Sequence, residues 1–289
     1  MLKVQARQGA CLALCASAVL SFLAPTAQAQ IIDDDYSPPE ESHNVEFDLT
    51  LFSETAYFTN VNAASNLPGG LEEDAQSGVV MANGFAVSAS AKVAPDVTSF
   101  AVLSGSHINN FENSDLNFIG VVAVAGLEFR PSDHAALYGY ATCVSELDEA
   151  GFNRFYEWCG PVAGFSLRTA PRNRTHLEVG ARGTLALGDR WRLANYKELT
   201  GYVRLSTAGP VRLVIEPNGF VRQYNMPEGL PAPFDEARID YQGGVEVSLG
   251  YSARKFEFGL SVEPSVRWSN YAQYRFWNLR VGPKFLARF

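Results

Sequence analysis

Apolar and polar residues alternate one by one along the last segment of the chain. Every second position holds an apolar residue, namely Trp277, Leu279, Val281, Pro283, Phe285, Ala287 and Phe289. The positions between them hold Asn278, Arg280, Gly282, Lys284, Leu286 and Arg288. Because successive side chains of a β-strand point to opposite faces, this segment predicts a strand with one apolar and one charged face. The pattern recurs upstream, which restricts the chain to an all-β fold.

Twelve segments carry the strand pattern, and their connections alternate between short and long. The predicted strands are 44–60, 79–93, 97–107, 116–130, 134–144, 158–169, 174–187, 195–207, 211–222, 238–252, 255–268 and 273–289. The short connections hold Pro, Gly, Asn and Asp, the residues that tight turns use. The long ones are 61–78, 108–115, 145–157, 188–194 and 223–237, with a shorter loop at 269–272. An even strand number with turns at one end predicts an up-and-down antiparallel barrel rather than a Greek-key sandwich.

The segment 1–29 has the pattern of a secretory signal peptide. Lys3 and Arg7 precede an apolar run, and Ala27-Gln28-Ala29 predicts cleavage before Gln30. The acidic, Pro-containing segment 30–43 predicts a flexible lead-in to a barrel that spans 44–289. No later segment is apolar over the ~20 residues that a membrane-crossing helix needs. A chain that crosses a membrane without helices must satisfy its backbone by closing a sheet on itself.

These features together resemble the bacterial outer-membrane β-barrel proteins, and the resemblance covers the whole mature chain as architecture. It implies a place in the outer membrane of a Gram-negative bacterium, with lipid against the apolar face and the long loops outside. The last strand, which ends in Phe289, resembles the signal that the barrel-assembly machinery reads. Twelve-strand members of this class include solute channels, autotransporter pores, a phospholipase and a lipid A deacylase.

In such a barrel the charged strand faces point into the lumen. The predicted inward residues from position 174 onward are Glu178, Arg182, Glu198, Arg204, Arg212, Glu216, Arg222, Arg238, Asp240, Glu246, Glu257, Glu263, Arg267, Arg280, Lys284 and Arg288. The predicted second to sixth strands place mostly small or neutral residues inward, such as Ser88, Ser104 and Gly126. Facing rows of opposite charge can line a path for solutes. Alternatively, the acids and bases neutralise each other and fill the lumen, because buried charges need partners.

The net charge, the cysteines and the spacing of potential metal ligands restrict the partners and cofactors that the protein can have. The formal charge of −8, which becomes −10 when Lys3 and Arg7 leave with the signal, and the lack of a basic patch exclude nucleic acid as a partner. Cys143 and Cys159 flank the predicted 145–157 loop, and we expect a disulfide between them in an oxidising periplasm; the alternative is two unpaired thiols. No set of residues has metal-ligand spacing, so neither a metal nor a cofactor is expected.

The sequence favours a porin-like passive channel for small hydrophilic solutes, or a structural barrel, and assigns no catalytic residue. One alternative is a lipid hydrolase, for which the nearest local match is Ser104-Gly105-Ser106-His107. The match departs from the His-x-Ser pattern of the outer-membrane phospholipase, since Asn109 stands where its serine is expected. Another alternative is a barrel whose outer loops, above all 61–78 and 223–237, bind a surface partner.

Overall fold

The computed structural model describes residues 45–60, 76–112, 114, 117–148, 154–169, 175–188, 195–225 and 237–289. This part of the chain forms twelve strands: β1 (Glu46–Phe58), β2 (Gly78–Ala94), β3 (Val97–Asn110), β4 (Phe118–Ser132), β5 (Ala135–Asp148), β6 (Arg154–Arg168), β7 (Thr175–Ala186), β8 (Tyr196–Thr207), β9 (Val211–Tyr224), β10 (Ile239–Ala253), β11 (Phe256–Ser269) and β12 (Phe276–Arg288). A short 3₁₀ helix, Ala272–Tyr274, precedes β12. No helix among the described residues is long and apolar enough to cross a membrane.

The twelve strands form a closed antiparallel barrel in which every strand pairs with its neighbours in the chain. The barrel closes where β12 returns to β1, with Thr50 opposite Arg288 and Phe58 opposite Arg280. The closing ladder extends to the last residue, since the N–H of Phe289 donates to the carbonyl of Leu49 at 2.9 Å. Each described strand has a hydrogen-bonded neighbour on both sides, so the sheet itself bonds the backbone that crosses the membrane. The all-β, up-and-down barrel predicted from the sequence is confirmed.

The two ends of the barrel differ in the length of their connections. At one end, here called the turn end, the connections are the short segments 95–96, 133–134, 169–174, 208–210 and 254–255. At the other, the loop end, they are mostly longer and comprise 59–77, 111–117, 149–153, 187–195, 225–238 and 270–275. The first strand, β1, begins at the turn end, and the last strand, β12, ends there. The connections at the turn end therefore span two to six residues and those at the loop end five to nineteen.

The outer face of the barrel is apolar along its whole circumference. Large side chains at outward positions are strongly exposed, among them Leu103 at 50%, Leu199 at 62% and Leu260 at 52%. Exposed aromatic side chains stand near both ends of the strands: Tyr57, Tyr241, Trp268 and Trp277 towards the loops, and Phe47, Tyr251, Phe256 and Phe258 towards the turns. An apolar belt between two aromatic girdles is the surface that a transmembrane barrel presents to lipid.

The predicted strand boundaries were wrong at the loop end. β5 continues to Asp148 and β6 begins at Arg154, so the predicted loop 145–157 shrinks to 149–153. β3 likewise continues to Asn110, and the start of the predicted last strand is instead the 3₁₀ helix Ala272–Tyr274. Strands that extend past the lipid no longer need an apolar outer face, so the alternation fades while the hydrogen-bond ladder continues.

Candidate functional site in the barrel lumen

The sixteen charged residues predicted to face the lumen all lie at inward positions. They are Glu178, Arg182, Glu198, Arg204, Arg212, Glu216, Arg222, Arg238, Asp240, Glu246, Glu257, Glu263, Arg267, Arg280, Lys284 and Arg288, and Arg238 immediately precedes β10. Their neighbours along each strand are the exposed outer residues, as in Phe256, Glu257 and Phe258. Position alone does not make these residues part of a solute path.

One side of the lumen, here called the neutral wall, is built from β2 to β6 and carries few charges. Its buried inward side chains include Val102, Ile108, Phe118, Val122, Val124, Tyr138, Tyr140 and Val144. The rings of Phe100 and Tyr140 meet edge to face at 6.1 Å, and Tyr138 stacks on Tyr140. The aromatic residues were not among the mostly small or neutral residues predicted to face inward here. Their even-numbered positions, in step with Ser104 and Gly126, were the signal that could have found them.

The opposite side, here called the charged wall, runs from β7 through β12 to β1, together with Arg168 at the end of β6, and consists largely of ion pairs. Arginine and lysine nitrogens lie close to acid oxygens in the pairs Arg168–Glu178 (2.9 Å), Arg204–Glu216 (2.6 Å), Arg222–Glu198 (2.5 Å), Lys284–Glu246 (3.5 Å) and Arg288–Glu257 (3.8 Å). Arg280 reaches two acids on different strands, Glu54 at 2.5 Å and Glu263 at 3.0 Å. Arg238 forms a two-pronged pair with Asp240.

Strand register brings the pairs of the charged wall together. Glu198 stands directly opposite Arg222, and Glu263 stands directly opposite Arg280. Directly opposed side chains on one sheet face are close enough to interact. Glu216 and Glu246 are also opposed, which would repel, but each has a separate base within reach, Arg204 and Lys284. The wall is thus polar while most of its charges are neutralised locally.

A layer of the lumen close to the loop end is almost fully buried. Ile108 is 1%, Asp240 0% and Arg267 1% exposed there. Buried polar and apolar side chains from both walls form this layer, here called the outer layer.

Three arginines of the outer layer lie against aromatic rings. Arg222 Cζ is 4.3 Å from the centre of the Tyr196 ring, and Arg238 Cζ is 3.4 Å from that of Tyr274. Arg267 Cζ lies 4.9 Å from the centre of the Phe276 ring. Aromatic faces attract guanidinium groups and shield them from water. The inward position of these arginines was predicted from the sequence, whereas their contacts with aromatic rings were not.

One carboxylate of the outer layer differs from the paired acids of the charged wall. Glu146, on β5, is fully buried, and neither of its oxygens has a hydrogen-bond partner among the described residues. Gly120 lies directly opposite it on β4. The sequence analysis missed Glu146 because it placed this residue in a loop.

The local serine and histidine match for a hydrolase is not assembled. Ser104 and Ser106 point into the lumen, whereas His107 is exposed on the outer face of β3. Since the serines and the histidine lie on opposite faces of one strand, the histidine cannot take a proton from either hydroxyl. The described residues contain no group of three potential metal ligands.

Cys143 and Cys159 stand directly opposite each other on β5 and β6, on the outer face, and their sulfurs are joined. Both positions lie inside the strands rather than at the mouth of the connecting loop. Of the two loops considered for partner binding, most residues of 61–78 and 223–237 lie outside the described part of the chain.

The comparisons with known proteins support the fold. No family model and no curated protein sequence matches the chain. An outer membrane channel from Pseudomonas putida F1 is 9% identical, covers 89% of this chain and all of its own, and has a TM-score of 0.51. The translocator domain of the autotransporter NalP from Neisseria meningitidis (11% identity, 94% and 98% coverage, TM-score 0.45) and outer membrane phospholipase A from Escherichia coli (13% identity, 84% and 96% coverage, TM-score 0.44) are further matches.

A closed barrel of twelve strands with an apolar belt belongs in the bacterial outer membrane, where every backbone group must be bonded within the sheet. The strand topology, the apolar belt and the similarity to the outer membrane channel all indicate the same fold. The chain is, in fold, a bacterial outer-membrane β-barrel protein.

Proposed function

We propose that the protein is a passive channel for small hydrophilic solutes. The observation that carries the proposal is the charged wall, a band of acid and base side chains inside a barrel whose outside is apolar. A barrel that served only as an anchor could fill its interior with apolar side chains at lower electrostatic cost. Polar groups in a membrane protein commonly mark a solute path.

The size of the lumen restricts the solutes to small ones. Eight-stranded barrels are filled by side chains, while 16- to 18-stranded porins leave an open aqueous channel. Twelve strands give an intermediate interior, and the aromatic side chains of the neutral wall narrow it further. We therefore expect only small solutes, with few non-hydrogen atoms, to pass through the outer layer.

The electrostatic pairing on the charged wall also bears on the solutes. Since most charges have a partner at 2.5–3.8 Å, the wall offers hydrogen-bonding groups without a strong net field along most of its length. Such a lining replaces part of a solute's hydration shell as it passes.

Electrical recording in planar lipid bilayers tests the channel. We expect the purified protein to produce discrete conductance steps. Ser104→Trp adds bulk to the inner face of β3 and should lower the step size, whereas Leu103→Trp, one residue away on the outer face, should leave it unchanged. Bilayers that show no steps with correctly folded wild-type protein would contradict the proposal.

We extend the proposal to the partners of the barrel. Outer-membrane lipid contacts the apolar belt, and the barrel-assembly machinery of the cell reads the last strand through Phe289. The exposed ring of Phe289 at the turn end, 53% accessible on a strand that closes the barrel, supports the second partner.

A further inference from the structure

The loop end of the charged wall holds a group of three buried arginines, here called the outer arginine cluster: Arg222, Arg238 and Arg267. They come from β9, the start of β10 and β11, which are adjacent in the barrel. Their side chains are between 1% and 7% exposed. Three buried guanidinium groups need negative charge nearby to be stable, because removing an ion from water costs several kcal/mol.

Two acids compensate two of these arginines. Glu198 accepts from Nε of Arg222 at 2.6 Å and from its Nη2 at 2.5 Å. Asp240 accepts from Nε of Arg238 at 2.9 Å and from Nη2 of the same residue. Both oxygens of Asp240 are therefore engaged with Arg238. Asp240 also attracts Arg267 electrostatically, but within the described part of the chain Arg267 has no ion pair of its own.

Arg267 is the member of the cluster without an acid in contact among the described residues. Its Nε donates to the amide oxygen of Gln242 at 2.8 Å, which supplies a dipole but no charge. Its Nη1 is buried and has no hydrogen-bond partner in the described ranges. The rings of Phe276 and Phe220, at 4.9 and 5.5 Å from Cζ, stabilise the cation only partly. A buried polar group left unsatisfied in this way calls for an explanation.

We propose that the outer arginine cluster is a binding site for an anionic group, with Arg267 as its principal ligand, and that the oxygens of a carboxylate or phosphate on a permeating solute bind there. An oxyanion supplies what Arg267 lacks among the described residues, a negatively charged group in direct contact that also accepts from Nη1. Guanidinium groups match the two oxygens of such anions geometrically. The idea rests on the proposed channel function, and it makes the outer layer a selectivity site for anions.

Tyr274 stands between this site and the loop side of the barrel. It belongs to the 3₁₀ helix in the connection from β11 to β12, and its ring lies against Arg238 at 3.4 Å from Cζ. Burial raises the pKa of the Tyr274 phenol, so the ring faces the cluster as a neutral group. A neutral phenol does not compete with an anion for the arginines.

Isothermal titration calorimetry with inorganic phosphate tests the site on the purified full chain in detergent micelles. Gln242→Glu is the most informative variant, since it places a carboxylate beside Nε of Arg267 without changing side-chain size. We expect wild type to bind phosphate and both Gln242→Glu and Arg267→Gln to bind it at least tenfold more weakly. Lys255→Gln removes one positive charge from the turn end and should bind like wild type.

Heat-modifiable gel mobility establishes that each variant is folded, and Gln242→Glu keeps the test available should Arg267→Gln not fold. Wild-type protein that does not bind phosphate, or a folded Gln242→Glu variant that binds it as tightly as wild type, would overturn the site. Bilayer recording separates the two proposals. Phosphate binding without conductance refutes the channel and leaves the anion site, whereas conductance without phosphate binding refutes the site and leaves the channel.

Discussion

At the scale of single residues, Arg280 on β12 neutralises two acids that belong to different strands. Its guanidinium contacts Glu54 on β1 and Glu263 on β11, and all three side chains are largely buried. Removal of one member of a buried ion pair leaves an uncompensated charge and costs about 3–5 kcal/mol. We therefore expect Arg280→Ala to lower the free energy of unfolding by that amount, measured by urea titration of protein folded into lipid vesicles.

Arg288 is the matched control for this prediction. It lies on the same strand and faces Glu257 at 3.8 Å, but its side chain is 46% exposed. Exposed ion pairs contribute about 0–1 kcal/mol. Arg288→Ala should therefore change stability little. Equal effects of the two substitutions would mean that Arg280 is not a buried neutralising group.

Glu146 leads to the opposite prediction, because its buried carboxylate has no hydrogen-bond partner among the described residues. A buried unsatisfied polar group costs about 1–3 kcal/mol, and more when it is charged. Glu146→Leu should therefore raise the free energy of unfolding by at least about 1 kcal/mol, seen as a higher urea midpoint in vesicles. Glu216→Leu should lower it, since that carboxylate accepts from Arg204 at 2.6 Å. A less stable Glu146→Leu protein would indicate that Glu146 has a partner in the folded state.

At the scale of strands, the junction between β1 and β12 depends on a glycine. The ladder passes from Glu54 opposite Lys284 to Tyr57 opposite Val281, and Pro283, which has no N–H to donate, lies between them. A methyl group on the neighbouring Gly282 would overlap the backbone carbonyl of Thr55. The two strands can approach closely enough to close the barrel here only because residue 282 lacks a side chain.

Gly282→Ala should consequently impair barrel closure and lower the fraction of refolded protein that shows heat-modifiable mobility. Gly139→Ala is the matched control, because the nearest atom to an added methyl group there, the carbonyl oxygen of Val162, is 4.0 Å away. If Gly282→Ala refolds as fully as Gly139→Ala, the close approach at the junction is not essential.

The strands themselves could be predicted from the sequence because lipid imposes a strict pattern. The apolar face of Phe256, Phe258 and Leu260 faces hydrocarbon, so a period of two persists wherever the strand crosses the membrane. Beyond the membrane that constraint ends, and Val144 to Asp148 continued β5 without a visible alternation. The errors therefore concentrate at the loop ends of the strands.

The arrangement inside the lumen could be predicted only in part. Alternation fixes which face a residue occupies, so Arg267 and Glu263 were placed inward correctly. It does not fix which residues of different strands come together, since that depends on register across connections as long as 59–77. The contacts of Arg280 with both Glu54 and Glu263, and of Arg238 with Tyr274, became evident only from the folded barrel.

At the scale of the whole molecule, polarity varies around the barrel wall. The outer face is apolar throughout, while the lumen changes from a neutral to a charged wall around its circumference. The outer arginine cluster holds three arginines and two acids in contact with them, although the chain as a whole is acidic with a formal charge of −8. Selectivity would therefore be set locally, because surface charges more than about 10 Å away are screened by salt.

Assembly in the cell is the last property that belongs to the molecule as a whole. Phe289 contributes to the barrel in two separable ways. Its backbone closes the ladder, with the N–H of Phe289 donating to Leu49 at 2.9 Å and the N–H of Leu49 donating back at 3.1 Å. Its ring is 53% exposed and has Lys255 Nζ 5.4 Å from its centre. Since alanine preserves the backbone bonds, Phe289→Ala removes the ring and leaves closure intact.

We therefore expect Phe289→Ala to refold in detergent or lipid as wild type does, but to reach the outer membrane of living cells at several-fold lower levels, measured as heat-modifiable protein in membrane fractions. Phe258→Ala, which removes another exposed aromatic ring near the turn end, serves as the control and should assemble normally in cells. If both variants assemble equally well, the terminal ring is merely one member of the aromatic girdle. If Phe289→Ala fails to refold in vitro as well, its defect lies in the barrel itself, because purified protein refolds without the assembly machinery.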